Sequence, residues 1–370
     1  MSASSSRLGP AVAAIAVALP MIAVLIAVVQ GATGVDTELW AHLREHVLAR
    51  VVANTVILVV GVVAIATALG TSLAWLTAAC EFPGRAFFSW ALLLPMAMPA
   101  YVLAFVAVAT LDYAGVVPTA LRGWFGPGFP VPPIRSTGGT IAVLALAGYP
   151  YVYLMARGAF LTHGARVLEA AQSLGLGPWA GLFRVAVPLA RPWLAGGAAL
   201  VAMETLADFG AVSVFNYDTF TTAIYQAWFG LSSIGTALGL ALLLLVFVVL
   251  ALAAERLARG RARFAVADAG MRRAERLALP GARGWFAFAC AATVFALGFL
   301  LPAVALARWA FDVAPIDLDA RYLGYALRTV GLAGMAAAAC LTLAVVLGYS
   351  TRVADSTVTR SAALVAAKSR

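Results

Sequence analysis

The chain has 370 residues, 63% of them hydrophobic and 11% charged, with a mean hydropathy of +0.96 and a formal net charge of +9. Soluble globular chains carry roughly 25% charged residues and about 45–50% apolar ones, so a water-soluble globule is excluded. The basic residues sit in short stretches between apolar runs, which fits membrane orientation and not a nucleic-acid partner.

A spanning helix needs roughly 20 mostly apolar residues. Eight stretches qualify, at about 11–30, 52–78, 86–110, 138–161, 194–215, 233–254, 285–308 and 323–349. The expected fold class is an all-α membrane protein, since lipid leaves no partner for an unpaired backbone amide. The first stretch, Ala11 to Val29, is apolar without interruption. That is longer than the roughly 7–15 residues of a signal-peptide core, so it reads as an uncleaved first helix. Cys80, Cys290 and Cys340 form no CxxC pair and read as small packing residues.

Arginine placement sets the expected orientation. Residues 255–283 hold Arg256, Arg259, Arg261, Arg263, Arg272, Arg273, Arg276 and Arg283 against Glu255, Asp268 and Glu275. This excess places the segment in the cytoplasm. Counting back puts the N-terminus and residues 162–193 on the same side. Asp36, Glu38 and Glu45 fall outside, as do Asp312, Asp317 and Asp319.

An internal repeat is expected. Asn54-Thr55-Val56 opens a helix reaching Trp75, and Arg328-Thr329-Val330 opens another reaching Tyr349. Each follows an acidic outer segment and a helix with a proline, Pro20 or Pro302. The chain then divides into a six-helix unit over 1–254, a basic linker over 255–284 and the first two helices of a second copy over 285–370. On this reading the second copy is incomplete, and a second membrane polypeptide would supply the rest.

The segment 163–193 carries the function. Glu169-Ala170-Ala171-Gln172-Ser173-Leu174 is a good helix former. Gly175 and Gly177 break it, and Pro178 suits the first turn of the next helix. Trp179, Leu182, Phe183 and Val187 are expected to form an apolar stripe, with Pro188 and Pro192 ending that helix. Two short helices with a glycine bend make a docking element, or a helix resting on lipid headgroups.

The pattern Glu169, Ala170, Ala171, Gly175, Val185 and Pro188 resembles the EAA loop of ABC importer permeases. The resemblance implies that the loop seats in a groove of a cytoplasmic ATP-binding subunit and couples its motion to transport. It also implies a periplasmic substrate-binding protein and an inner-membrane location. Met203-Glu204-Thr205-Leu206-Ala207-Asp208-Phe209-Gly210, followed by Thr219-Phe220-Thr221-Thr222-Ala223-Ile224-Tyr225 and Ala227-Trp228-Phe229, is similar to ferric-iron permeases. Those carry two six-helix halves in one chain, and ferric iron is the implied cargo. Thiamine, polyamine and phosphonate permeases share the loop.

Glu204 and Asp208 are four residues apart, which places both on one face near the middle of the fifth helix. Intramembrane carboxylates face a bundle interior or a watery path, so the pair marks a candidate translocation path or a structural hydrogen-bonded pair. Glu38, His42 and His46 recur at helical spacing in an outer segment, where a solvated face is the ordinary reading and a metal set the sharper one. No P-loop, HExxH or GxSxG appears, so the chain is expected to be no enzyme and to need no cofactor, with ATP hydrolysis supplied by another subunit. The contrasting class is an ion-coupled secondary transporter using Glu204 and Asp208. Such folds show broken helices at the membrane midplane, and no such pair is evident in the sequence.

Overall fold

A computed structural model describes residues 19, 22–173, 177–259, 276–317 and 319–368, with backbone only for 163–173, 178–179, 259, 315–317, 320 and 346–368. Among the described residues, seven helices are long and apolar enough to cross a membrane, or eight if the bent pair Ile22–Gly34 and Thr37–His46 counts as one span. The expected all-α membrane fold is the fold observed. The chain forms two compact units, Ala32–Arg308 and the combination of Met1–Gly31 with Trp309–Arg370.

The larger unit opens with the short helix α1 (Thr37–His46), capped by Asp36, whose carboxylate accepts the amides of Glu38 and Leu39 at 3.1 Å. The long α2 (Leu48–Ala79) follows, then the two-residue strand β1 (Cys80–Glu81) and α3 (Arg85–Ala91). The third span was expected to be one helix over 86–110. Instead it breaks into α3, a 3-10 turn (Leu94–Ala97) and α4 (Ala100–Leu111). Pro95 and Pro99 lack an N–H, so the α-helical ladder cannot run through them. The amides of Leu93 and Met96 turn to the carbonyls three residues back, which frees the carbonyls of Ser89 and Leu92. The hydroxyls of Tyr153 and Tyr149 bond these at 3.0 and 2.9 Å. The break is thus closed from a neighbouring helix, as lipid requires.

That neighbour is α6 (Thr137–Ser173), which follows the short α5 (Val116–Phe125). It is the most buried of the spans. Tyr149, Val152, Tyr153 and Ala156 on α6 are fully buried. Close approach is paid for in side-chain size: a Cβ on Gly70 of α2 would lie 2.8 Å from the Tyr149 carbonyl and the Tyr153 amide. Small residues let helices approach in lipid, where dispersion and hydrogen bonds replace the hydrophobic drive. Thr77 of α2 adds a 3.0 Å hydroxyl contact to Tyr153.

After α6 come α7 (Pro178–Gly181), a π turn (Leu182–Ala186) and α8 (Val187–Ala207). Pro188 and Pro192 do not end the helix, contrary to expectation. Pro188 sits in the first turn of α8, directly after a wide turn, and Pro192 lies inside the helix. The short α9 (Gly210–Val214) and α10 (Phe220–Tyr225), a second π turn (Gln226–Gly230) and α11 (Ile234–Arg259) complete the bundle. The first residues assigned to the linker therefore belong to α11, while 260–275 lie outside the described residues.

Strand β2 (Leu277–Ala278) pairs in parallel with β1, Cys80 opposite Leu277 and Glu81 opposite Ala278. Glu81 also bridges Arg85 at 3.0 Å and Arg276 at 3.5 Å. Burial beside this clasp raises the Cys80 thiol to about 11, so it stays protonated and serves as packing. Helix α12 (Ala282–Phe295) packs Phe288 and Phe295 against Phe88 of α3, and a π turn (Ala296–Leu300) leads into α13 (Leu301–Asp317). In the other unit, residues 320–368 form one helix, α14 (Ala320–Lys368), which runs on past the expected end at 349.

Candidate functional site

Two places carry the sequence-derived candidates. The first is the turn between α6 and α8. Glu169, Ala170 and Ala171 lie in the last turns of α6, whose backbone is helical to Ser173, and Gly175 lies outside the described residues. Val185 and Pro188 are placed in full. Leu182 and Ala186 are buried, Val185 packs partly against the main core, and Pro188 is exposed.

Of the expected stripe of Trp179, Leu182, Phe183 and Val187, the Trp179 side chain lies outside the described residues, Leu182 and Val187 pack toward the core, and Phe183 departs from it. Leu182 points into the core at 4% exposure, while Phe183 is 66% exposed. Successive residues of a helical turn point about 100° apart, which leaves Phe183 beyond the face that Leu182 buries. The result is a turn with an apolar root (Leu182, Ala186) and an outward face carrying Phe183 and Arg184. Phe183 is thus an exposed aromatic that the motif did not single out. Its signal was the helical phase relative to Leu182.

The second place is a cavity of about 180 Å³ bounded by the α3–α4 break, α6 and the end of α8. Glu204 and Asp208 both line it, with Tyr151, Thr205 and the thioethers Met96 and Met98. Glu204 is exposed on the last turn of α8 and makes no hydrogen bond or ion pair among the described residues. Asp208 is not near the middle of a helix. It caps the end of α8 with extended angles, φ −67° and ψ 126°. Its carboxylate accepts the Val212 amide at 3.0 Å at the start of α9, and its carbonyl accepts the Thr221 hydroxyl at 2.6 Å. The fifth span is therefore broken at Asp208, and the third at Pro95–Pro99, beside one cavity. Asp-Phe-Gly at 208–210 supplies the local reason: an Asp side chain competes for backbone amides and starts a new turn. The structure brings Glu204 and Asp208 to one space, though not by the single helix face expected.

The Glu38, His42 and His46 set does not assemble. Asp36, not Glu38, caps the helix, and the His46 ring bonds the His42 carbonyl at 3.2 Å while stacking on the His42 ring at 4.7 Å. Among the described residues no group of three His, Cys, Asp or Glu side chains is placed to hold a metal.

Comparison with known proteins places these features. The chain is 28% identical over 245 residues to an Fe(3+)-transport system permease protein of Haemophilus influenzae, covering 66% of this chain and 44% of that one. It is 30% identical over 146 residues to the molybdenum transport system permease protein of Escherichia coli K12, covering 40% of this chain and 62% of that one. The chain thus spans about half the length of these relatives. The fold is that of a chain in the crystal structure of a bacterial alginate ABC transporter in complex with an alginate pentasaccharide-bound periplasmic protein. That match has a TM-score of 0.52 at 17% identity and covers 66% of this chain and 94% of that one. The family described as binding-protein-dependent transport system inner membrane component matches residues 66–263, more than half of the chain, from the second half of α2 through α11, a stretch that holds both places. The chain belongs to that family, as a multi-pass membrane permease component.

Proposed function

We propose that this chain is the transmembrane permease subunit of an ATP-driven importer, with ferric iron as cargo. The observation that carries the reading is the turn at 178–188, rooted in the core by Leu182 and Ala186 and presenting Phe183 and Arg184 outward. Such a turn transmits push and pull between an attached ATPase and the bundle, because its inner side is locked to α6 and α8. The EAA residues Glu169, Ala170, Ala171, Gly175, Val185 and Pro188 then belong to the coupling element. ATP hydrolysis belongs to separate cytoplasmic subunits, and a periplasmic binding protein delivers cargo at the opposite end.

In this mechanism ATP-driven closure of the ATPases moves the coupling turns. The bundle shifts between inward-open and outward-open populations because the two states bind the ATP-loaded partners differently. The unpaired Glu204 and the capped Asp208 stand beside the path, at the two breaks where local rearrangement is easiest. The N-terminus and residues 255–284 are cytoplasmic on this reading, and 285–370 begins a second permease unit.

Ferric iron is supported by the relative from Haemophilus influenzae and by the charged lining of the cavity, which is acidic throughout. Molybdate, the oxyanion handled by the molybdenum permease relative, would meet two carboxylates there. The test is uptake of radiolabelled ferric iron and of molybdate in cells with and without the gene, alongside Phe183→Ala and Glu169→Lys variants. Iron uptake lost in both variants with membrane insertion intact is expected. Chain-dependent molybdate uptake would reassign the cargo, and undiminished uptake by both variants would remove the coupling assignment.

A further inference from the structure

A second cavity, of about 270 Å³, lies apart from the path. Leu39, His42 and Leu43 of α1 form one side, Arg50 and Val51 of α2 another, and Asp218 with Gln226 the third. It lies where two spans begin, Leu48–Ala79 and Ile234–Ala258. Helix α1 rests on the second of these, with the Trp40 ring 3.1 Å from where a Cβ on Gly239 would stand. An amphipathic helix with a tryptophan at that level lies at the boundary between hydrocarbon and headgroups.

The charges at the cavity are one of each sign. Arg50 Nη2 stands 3.3 Å from Asp218 Oδ2, with side chains 62% and 38% exposed. An exposed pair of this kind adds only about 0–1 kcal/mol, so stability alone gives it little purpose. Yet Asp218 is held firmly. Its carbonyl accepts Asn54 Nδ2 at 3.0 Å, a positive-φ Asn216 (54°) precedes it, and the Thr219–Thr222 capping box follows. The guanidinium has five N–H donors and the carboxylate about four acceptor positions, so most of both remain open. The volume falls below the roughly 300–1,000 Å³ of drug-sized ligand sites, which suits a headgroup and leaves any acyl chains outside.

We infer that this cavity binds the headgroup of a zwitterionic aminophospholipid, its phosphate on Arg50 and its ammonium on Asp218. His42 adds a donor toward the phosphate, and the Gln226 carbonyl an acceptor toward the ammonium. The acyl chains leave past Leu39 and Leu43 into the bilayer. This rests on the membrane embedding of the bundle and not on the cargo or ATPase reading.

Native mass spectrometry of the purified chain, loaded with phosphatidylethanolamine or phosphatidylglycerol, tests it. Phosphatidylethanolamine should be retained about tenfold better, equivalent to roughly 1.4 kcal/mol. Asp218→Asn should erase that preference, and Arg50→Gln should weaken both lipids. Leu43→Trp fills the cavity while leaving the ion pair in place, so it should lower phosphatidylethanolamine retention even if the charge variants fold poorly. Equal retention of the two lipids by the wild-type chain, or unchanged retention in Leu43→Trp, would overturn the assignment.

Discussion

Helices α2 and α14 open alike and live differently. Thr55 and Thr329 each return a hydroxyl bond to the carbonyl four residues back, at 2.7 and 2.9 Å, and each is followed by valine. Thr55 is 3% exposed and its oxygen also receives the Phe220 amide at 3.4 Å. Val330 is 70% exposed, and no side chain of the apolar window in Arg321–Val345 is buried within the described residues. Apolar length suffices for insertion and says nothing about neighbours. What separates the two helices is the placing of small and hydroxylated residues against a partner. Gly61 and Gly70 are in contact with α6, whereas a Cβ on Gly331 or Gly334 would meet nothing within 4 Å.

The sharpest way to break this comparison is a bulky residue at each glycine. Gly70→Leu would drive carbon into the backbone of α6, which cannot yield as a side-chain tip does. A destabilisation of about 3 kcal/mol is expected, with loss of folded protein in a detergent thermal-stability assay. Gly331→Leu should leave stability within about 0.5 kcal/mol of wild type. Equal tolerance at both positions would mean that α2 and α6 do not cross at Gly70.

Next in size is Trp75→Ala. Trp75 is 3% exposed and meets Phe160 edge-on at 5.5 Å. Truncation of a core aromatic in a soluble protein costs about 3–5 kcal/mol. In lipid the transfer part of that cost falls away, because the unfolded helix also lies in an apolar medium. The lost packing remains, so about 2 kcal/mol is expected. The control Leu332→Ala, at a side chain 64% exposed, should change little.

The same contrast explains what the sequence could reveal. Span number and helical class follow from run length alone, and α2 and α14 were equally visible. The helical turn over 178–188 was visible because Pro178 and the residues after it favour a new helix there. The breaks at Pro95–Pro99 and Asp208 were hidden because a hydropathy window averages across a few interrupted bonds. The repair of the first by Tyr149 and Tyr153 comes from residues more than fifty positions away. Phe183 was expected in one apolar stripe with Leu182, and the packing of Leu182 into the core while Phe183 stays outward was not legible from apolar spacing. The clasp of β1 on β2 joins residues 80–81 to 277–278 through four residues of weak strand character, beyond the reach of local patterning.

A smaller effect is expected from Tyr153→Phe. Its hydroxyl joins the Ser89 carbonyl and the Thr77 hydroxyl, both at 3.0 Å. Removing it leaves the Ser89 carbonyl without that donor in a water-poor interior. Hydrogen bonds between membrane helices are worth about 0.6 kcal/mol on average and up to about 1.7. The expected loss is about 1 kcal/mol, read as a lower midpoint in a denaturing-detergent titration. An unchanged midpoint would mean that the Ser89 carbonyl finds another donor once α3 relaxes.

The finest test compares the two threonines themselves. Thr→Val keeps the shape and removes only the hydroxyl. Among the described residues the Thr329 hydroxyl serves its own helix by the Tyr325 carbonyl, and that carbonyl keeps its place in the backbone ladder, so Thr329→Val should be neutral. At Thr55 the same change also removes the acceptor for the Phe220 amide, at the first turn of α10. That amide is one of the unsatisfied donors of a helix start, and it lies beside the buried Phe220 ring, which is 1% exposed. The bond is long at 3.4 Å, so its loss should cost only about 0.5–1 kcal/mol. The more telling readout is amide exchange at Phe220, which should quicken in Thr55→Val and stay unchanged in Thr329→Val. Quickened exchange in neither variant would reduce Thr55 to a packing residue and leave the glycines, Trp75 and Thr77 to separate the two helices.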